Sequence, residues 1–136
     1  MKTFLLKQLQ IVESNNEDIV KTEVELIDGL VINREDGKNS WLIEALINKQ
    51  YMAWFENMQN TRDQVMIEVK ISKMSNAPAT FITSIDSINN IGEHINVIFT
   101  GTIVDKRKSK IEEMLGELIE QGYQGEQLLE KFKKLM

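Results

Sequence analysis

Val65, Ile67, Val69 and Ile71 alternate with Met66, Glu68, Lys70 and Ser72, and this period of two is what most constrains the fold. Residues two apart share one face of an extended chain, so the run predicts a strand with one buried side. The pattern returns at Val20, Thr22, Val24 and Leu26, set against Lys21, Glu23 and Glu25. It returns again at Ile95, Val97, Phe99, Gly101 and Ile103. Phe4 to Val12 is apolar but alternates imperfectly, Ser40 to Asn48 is largely apolar, and Thr80 to Ile88 follows a turn at Ser75-Asn76-Ala77-Pro78. Polar turns are expected at Asn15–Asp18 and Asn89–Gly92. Asp28-Gly29 and Asp36-Gly37 each lie between β-prone runs and predict two successive hairpins of a meander. Gly101 within its strand predicts a bulge or a barrel corner.

The period changes in two places. Tyr51, Trp54, Phe55 and Met58 fall on one face of a helix between Lys49 and Asn60, expected to plug an open barrel end rather than to bind a partner. From Ser109 to Met136 the chain predicts a helical hairpin. Ser109 and Glu112 have capping-box spacing, and Ile111, Met114, Leu115, Leu118 and Ile119 form an apolar stripe. Gly122 suits a left-handed helix end that folds Tyr123 back on Leu118. A second helix from about Glu126 carries Leu128, Leu129, Phe132 and Leu135 on one side, with Lys131, Lys133 and Lys134 near its negative end.

Six or more strands, one internal helix and no βαβ alternation predict a mainly β fold. The expected form is an antiparallel β-barrel or sandwich with one short internal helix and a C-terminal two-helix pair. Residues 1–105 are the expected barrel core, and residues 106–136 a hairpin packed on it as part of one structural unit. With 136 residues the chain can bury a core without staples, and it has no cysteine for a disulfide, a thiolate metal site or a nucleophile. The N-terminal apolar run is too short for a signal peptide, and no run is long enough to span a bilayer. A cytoplasmic protein is expected, with signal-less export left open.

Charge separates the two parts. Residues 1–105 hold nine Lys/Arg against fifteen Asp/Glu, and residues 106–136 hold seven against six. An acidic barrel has the wrong sign to replace phosphate counterions, which argues against nucleic acid. Lys106, Arg107, Lys108 and Lys110 form the single basic cluster and, with the stripe Leu128, Leu129, Phe132 and Leu135, are the candidate interaction surface. A solvated charge run is the plainer account of the lysines.

No catalytic, cofactor or metal constellation stands out. His94 is the sole histidine, so no multi-histidine site can form, and its strand face with Asn96, Thr100 and Thr102 is expected to be the solvent side. Pairing with Glu93 is disfavoured because adjacent strand residues face opposite ways. Glu44 sits in the apolar run Trp41–Ile47, and an outward position is expected for it. Neither a Walker-type phosphate loop nor a G-x-S-x-G elbow is present.

Leu26-Ile27-Asp28-Gly29-Leu30-Val31-Ile32-Asn33, then Trp41-Leu42-Ile43-Glu44-Ala45, resembles the signature of the YwpF-like proteins of Bacillus and Staphylococcus relatives. The ending Gly122-Tyr123-Gln124-Gly125-Glu126-Gln127-Leu128-Leu129 is similar to that family's tail. The resemblance covers essentially the whole chain. It implies a β-barrel with a C-terminal helix pair, and a barrel similar to Hcp, the ring-forming tube protein of type VI secretion. It brings no activity, cofactor or site residue, and shared barrel shape is a weak warrant for function.

Three functions are therefore in play. The first is a non-enzymatic structural or interaction protein, with a protein partner or self-association through barrel edges or the helix pair. An OB-like nucleic-acid-binding barrel is the second, suggested by a helix between the third and fourth strands. The third is a small-ligand binder or enzyme using the barrel mouth.

Overall fold

The computed structural model describes residues 1–15, 18–104 and 115–135. Seven strands carry the alternation into one sheet: β1 Lys2–Asn15, β2 Asp18–Val24, β3 Leu26–Asn33, β4 Ser40–Asn48, β5 Val65–Ile71, β6 Ala79–Ile91 and β7 His94–Ile103. All pairings are antiparallel, in the order β2-β1-β3-β4-β7-β6-β5, and β5 pairs back onto β1. Six strands thus close a ring and β2 stands outside it. The predicted antiparallel barrel is the observed fold.

Closure depends on the length of β1. One edge of it pairs with β3 through Lys2–Leu5 and with β2 through Leu9–Asn15, while Leu6–Val12 pair with β5. A bulge between Leu6 and Gln8 reverses which side chains face inward. Leu6 is buried before it, Leu9 and Ile11 after it, which explains the imperfect alternation of this strand. Two more bulges, at Leu26/Asp28 in β3 and Ile85/Ser87 in β6, bend the sheet into the ring.

The interior is filled by side chains. Leu9, Ile11, Val31, Ile43, Ile47, Ile67, Phe81, Ile95, Val97 and Phe99 are fully buried in one cluster. A 3₁₀ turn at Lys49–Tyr51 leads into helix α1, Met52–Thr61, which lies across the ring. From α1, Phe55 and Met58 enter the same cluster, with the Phe55 ring edge-on to Phe99 at 5.9 Å. Gln59 Nε2 donates to the carbonyls of Ile85 and Asp86 at the β6 bulge, 3.3 and 3.4 Å away. The aromatic stripe is a plug, as expected.

Two turn expectations need correction. Asp28-Gly29 is no hairpin turn: both residues lie within β3, just past its bulge, with Gly29 opposite Ala45. Glycine is required there because a Cβ would stand 2.8 Å from Leu6 Cδ2 and 2.9 Å from the Glu44 carbonyl oxygen. The turn after β6 comes later than Asn89, since Asn89–Ile91 still pair with β7 and Gly92-Glu93 makes the reversal. Asp36-Gly37 does turn. The Asp36 carboxylate accepts from the Lys38 and Ser40 amides and from Ser40 Oγ.

Residues 115–120 (α2) and Gly125–Leu135 (α3) form a helix pair. The C-terminus of α2 closes as a Schellman motif, with Gly122 at φ 93°, its amide donating to Ile119 O and the Tyr123 amide to Leu118 O. The pair lies on the outer face of the barrel, where Leu115, Leu118, Ile119, Leu128 and Phe132 form a second cluster with Met66, Ile82 and Val104. The predicted capping box at Ser109–Glu112, with Ile111 and Met114, lies outside the described residues.

Candidate interaction surface

The expected surface divides into parts of different fate. Lys106, Arg107, Lys108 and Lys110 lie outside the described residues. On α3, Leu128 is 5% exposed and Phe132 0%, because both point into the second cluster beneath the helix. Leu129 is half-buried at that cluster's margin, and the Leu135 side chain lies outside the described residues. Leu128 and Phe132 therefore spend their apolar area inside the chain. Sequence alone could not show this, since an amphipathic stripe looks the same whether it covers a barrel or a partner.

Polar bonds fasten the helix pair at one end. The Glu126 carboxylate accepts the Asp63 amide, and the Gly125 amide donates to Ser14 Oγ at 3.4 Å. Between α3, the ends of β1 and β2 and the Thr61–Gln64 connection is a cavity of about 330 Å³. Arg62 Nη2 meets Glu13 Oε2 there at 2.5 Å, and Gln64 Oε1 is sealed without a hydrogen-bond partner among the described residues. No sequence motif pointed to this polar group. Its members come from segments far apart in the chain, brought together by the β1–β5 pairing that closes the barrel, where Val12 stands opposite Met66.

The residues singled out for chemistry are dispersed. His94 is half-buried at the start of β7, opposite Asn48 and Ile91. Glu44 is half-buried on the outer wall and accepts from Asn96 Nδ2 at 2.8 Å. Around it Leu30, Leu46 and Ile91 line a shallow hollow on the outside of β3, β4 and β7. Among the described residues, no cluster of three or more His, Asp and Glu could hold a metal ion. Two carboxyls in the β3–β4 loop titrate below their ordinary range. Glu35 is lowered first by its hydrogen bond to the N-terminal ammonium and then by that charge, Asp36 first by the Ser40 hydroxyl and then by the Ser40 amide. They are structural anchors of a loop, remote from the cavity residues in chain and sheet.

The exposed edge belongs to β2. Among the described residues its only strand neighbour is β1, and Asp18, Val20, Lys21, Thr22 and Glu23 are all exposed. The alternation in the sequence predicts a buried face for Val20 and Thr22. They are exposed because β2 overhangs the ring, and only Val24 reaches the core.

A closed six-stranded barrel, filled within, plugged by one helix and strapped by a helix pair, is a mainly β protein. The chain belongs to the YwpF-like protein family, whose model matches residues 2–135. It is 39% identical over 134 residues to the uncharacterized protein YwpF of Bacillus subtilis (strain 168), with 98% of each chain covered. The crystal structure of a hypothetical protein from Staphylococcus aureus matches with a TM-score of 0.71 at 34% identity, covering 100% of this chain and 93% of that one. The likeness to Hcp draws no support from this match. No helix among the described residues is long and apolar enough to cross a membrane.

Proposed function

We propose that the protein is a non-catalytic interaction protein that works by associating with itself. The observation that carries this is the β2 edge: a seven-residue strand, rich in β-branched side chains, that among the described residues has one strand neighbour where every ring strand has two or more. An unpaired edge presents a row of free amides and carbonyls and is a template for another strand. The side chains packed in the barrel interior, and the burial of Leu128 and Phe132 beneath the helix pair, favour the β2 edge over the barrel mouth or the α3 stripe. The OB alternative keeps its helix placement, since α1 lies between the third and fourth ring strands in chain order, β4 and β5, but the ring has six strands where an OB barrel has five, and the body is acidic.

A ring of the Hcp kind and a closed dimer are two forms such association can take, and stoichiometry separates them. Light scattering behind size exclusion, from micromolar to near-millimolar protein, tests the proposal. A mass that rises with concentration to a fixed multiple is expected, and a monomer throughout removes it. The cavity beneath α3 favours one second reading, a small-ligand binder. Methyl resonances of Ile19, Leu128 and Leu129 that move on addition of small amphiphiles would support it, and resonances that stay put would end it.

A further inference from the structure

We infer that two copies pair antiparallel through β2, edge to edge, about a two-fold axis at Thr22. This rests on the self-association reading and supplies its surface and register.

The strand is built to pair. Ile19, Val20, Thr22 and Val24 are β-branched, and no Pro or Gly interrupts Asp18–Val24. β1 occupies one edge only, from Asn15↔Asp18 to Leu9↔Val24. Alternate backbone groups of β2 therefore point away from β1, to the side on which no strand lies among the described residues and where a second strand could bond to them.

Charge selects the register. In a continuous sheet, residues directly opposite share a face, so a two-fold axis must pass through a residue position and not between two. An axis at Lys21 sets Lys21 against its own copy, and an axis at Glu23 does the same for Glu23; like charges directly opposite oppose pairing. With the axis at Val20, Lys21 faces Ile19. At Thr22 each Lys21 stands opposite the other copy's Glu23, twice over, and each Val20 stands opposite Val24. Val20 is 38% exposed in the single chain, so the same register covers an apolar side chain left open.

The charged side chains are already held on one face. Lys21 Nζ is 3.2 Å from Glu68 Oε2, and Gln8 Nε2 donates to Glu23 Oε1 at 2.5 Å. The Glu23 carboxylate has a second oxygen that can take a further partner without giving up Gln8, and an opposite charge across the axis suits the Lys21 ammonium. A lysine on an edge ordinarily deters other strands. Here its complement sits two residues away, so the same charge that deters an unrelated edge suits a second copy of this one. The interface is isologous and closes at two copies, which excludes a ring built on this edge.

Two variants test it. The chain has no cysteine, so Thr22→Cys places a lone thiol on the axis, where opposite Cα atoms are within disulfide reach. Mild oxidation is expected to give a covalent dimer, while Met74→Cys, on the exposed loop after β5, gives little. Lys21→Glu is expected to weaken association by roughly tenfold or more. The double exchange Lys21→Glu with Glu23→Lys is expected to restore it, with circular dichroism checking that each variant is folded. If the wild type associates while Lys21→Glu does not weaken it and Thr22→Cys cross-links no better than Met74→Cys, this interface is wrong and self-association stands. A wild type that stays monomeric at every concentration overturns both.

Discussion

One dipeptide serves two purposes in this chain. Asp36-Gly37 makes a loop, with the Asp36 carboxylate gathering the amides of Lys38 and Ser40, whereas Asp28-Gly29 continues a strand. Local sequence could not separate them, because at one of the two the glycine answers a demand for space that is set by residues far along the chain. At Gly29 those residues are Leu6 and Glu44. Gly101 is the sharper case: a Cβ there would stand 2.0 Å from the Ile82 carbonyl oxygen and 2.7 Å from Thr83 Cα. Both are backbone atoms of the paired strand, so relief requires moving β6 and not turning a side chain. Gly101→Ala is expected to cost at least the roughly 1–3 kcal/mol typical of overpacking. Gly37→Ala meets nothing within 4 Å and is expected to stay within about 0.5 kcal/mol of wild type. Urea unfolding of the two variants checks the contrast, and equal losses would mean that the β6–β7 approach yields easily.

Elements were legible where their period was unbroken. The alternation of Val65 to Ile71 became β5 with the same bounds, and the stripe from Tyr51 to Met58 became the plug helix. Bulges hid the rest. In β1 the inward set passes from Leu6 to Leu9 across one irregular step, so a strict count of two fails although every inward residue is apolar. At the end of α2, by contrast, one residue type revealed the geometry. Gly122, expected to be left-handed, lies at φ 93° with both Schellman hydrogen bonds formed. Gly122→Ala forces a Cβ into that region and is expected to cost about 1–2 kcal/mol. Gly116, inside the same helix, has open space where a methyl group would stand, with nothing within 4 Å. Its change to Ala is expected to gain about 0.4–1 kcal/mol. Opposite signs in thermal or denaturant unfolding are the check. A loss at Gly116 would show that the face it presents is needed bare.

At the scale of the molecule, the helix pair matters for what it shares with the barrel. β5 and β6 serve both apolar clusters, for Val65, Ile67 and Phe81 face the interior while Met66 and Ile82 face the helices. The alternation places Val65 and Ile67 on the inward face, but nothing in the local pattern tells that Met66 and Ile82 meet a second cluster. A strand read as buried on one side proves to be buried on both, once the C-terminal segment lies down on it. Barrel and helix pair are then expected to unfold together. Trp41 and Trp54 pack against the interior cluster and report on the barrel, while helical circular dichroism draws on α2 and α3 as well as α1. Phe132 is fully buried under α3, so Phe132→Ala should cost roughly 3–5 kcal/mol. If the wall is shared, that loss lowers the midpoints seen by tryptophan fluorescence and by circular dichroism by the same amount, and the two curves still coincide. Should the helical signal instead fall early while the tryptophan midpoint stays near wild type, the helix pair is a detachable strap. The outer faces of Met66 and Ile82 would then open as apolar surface, and the case for β2 as the main association edge would have to compete with them.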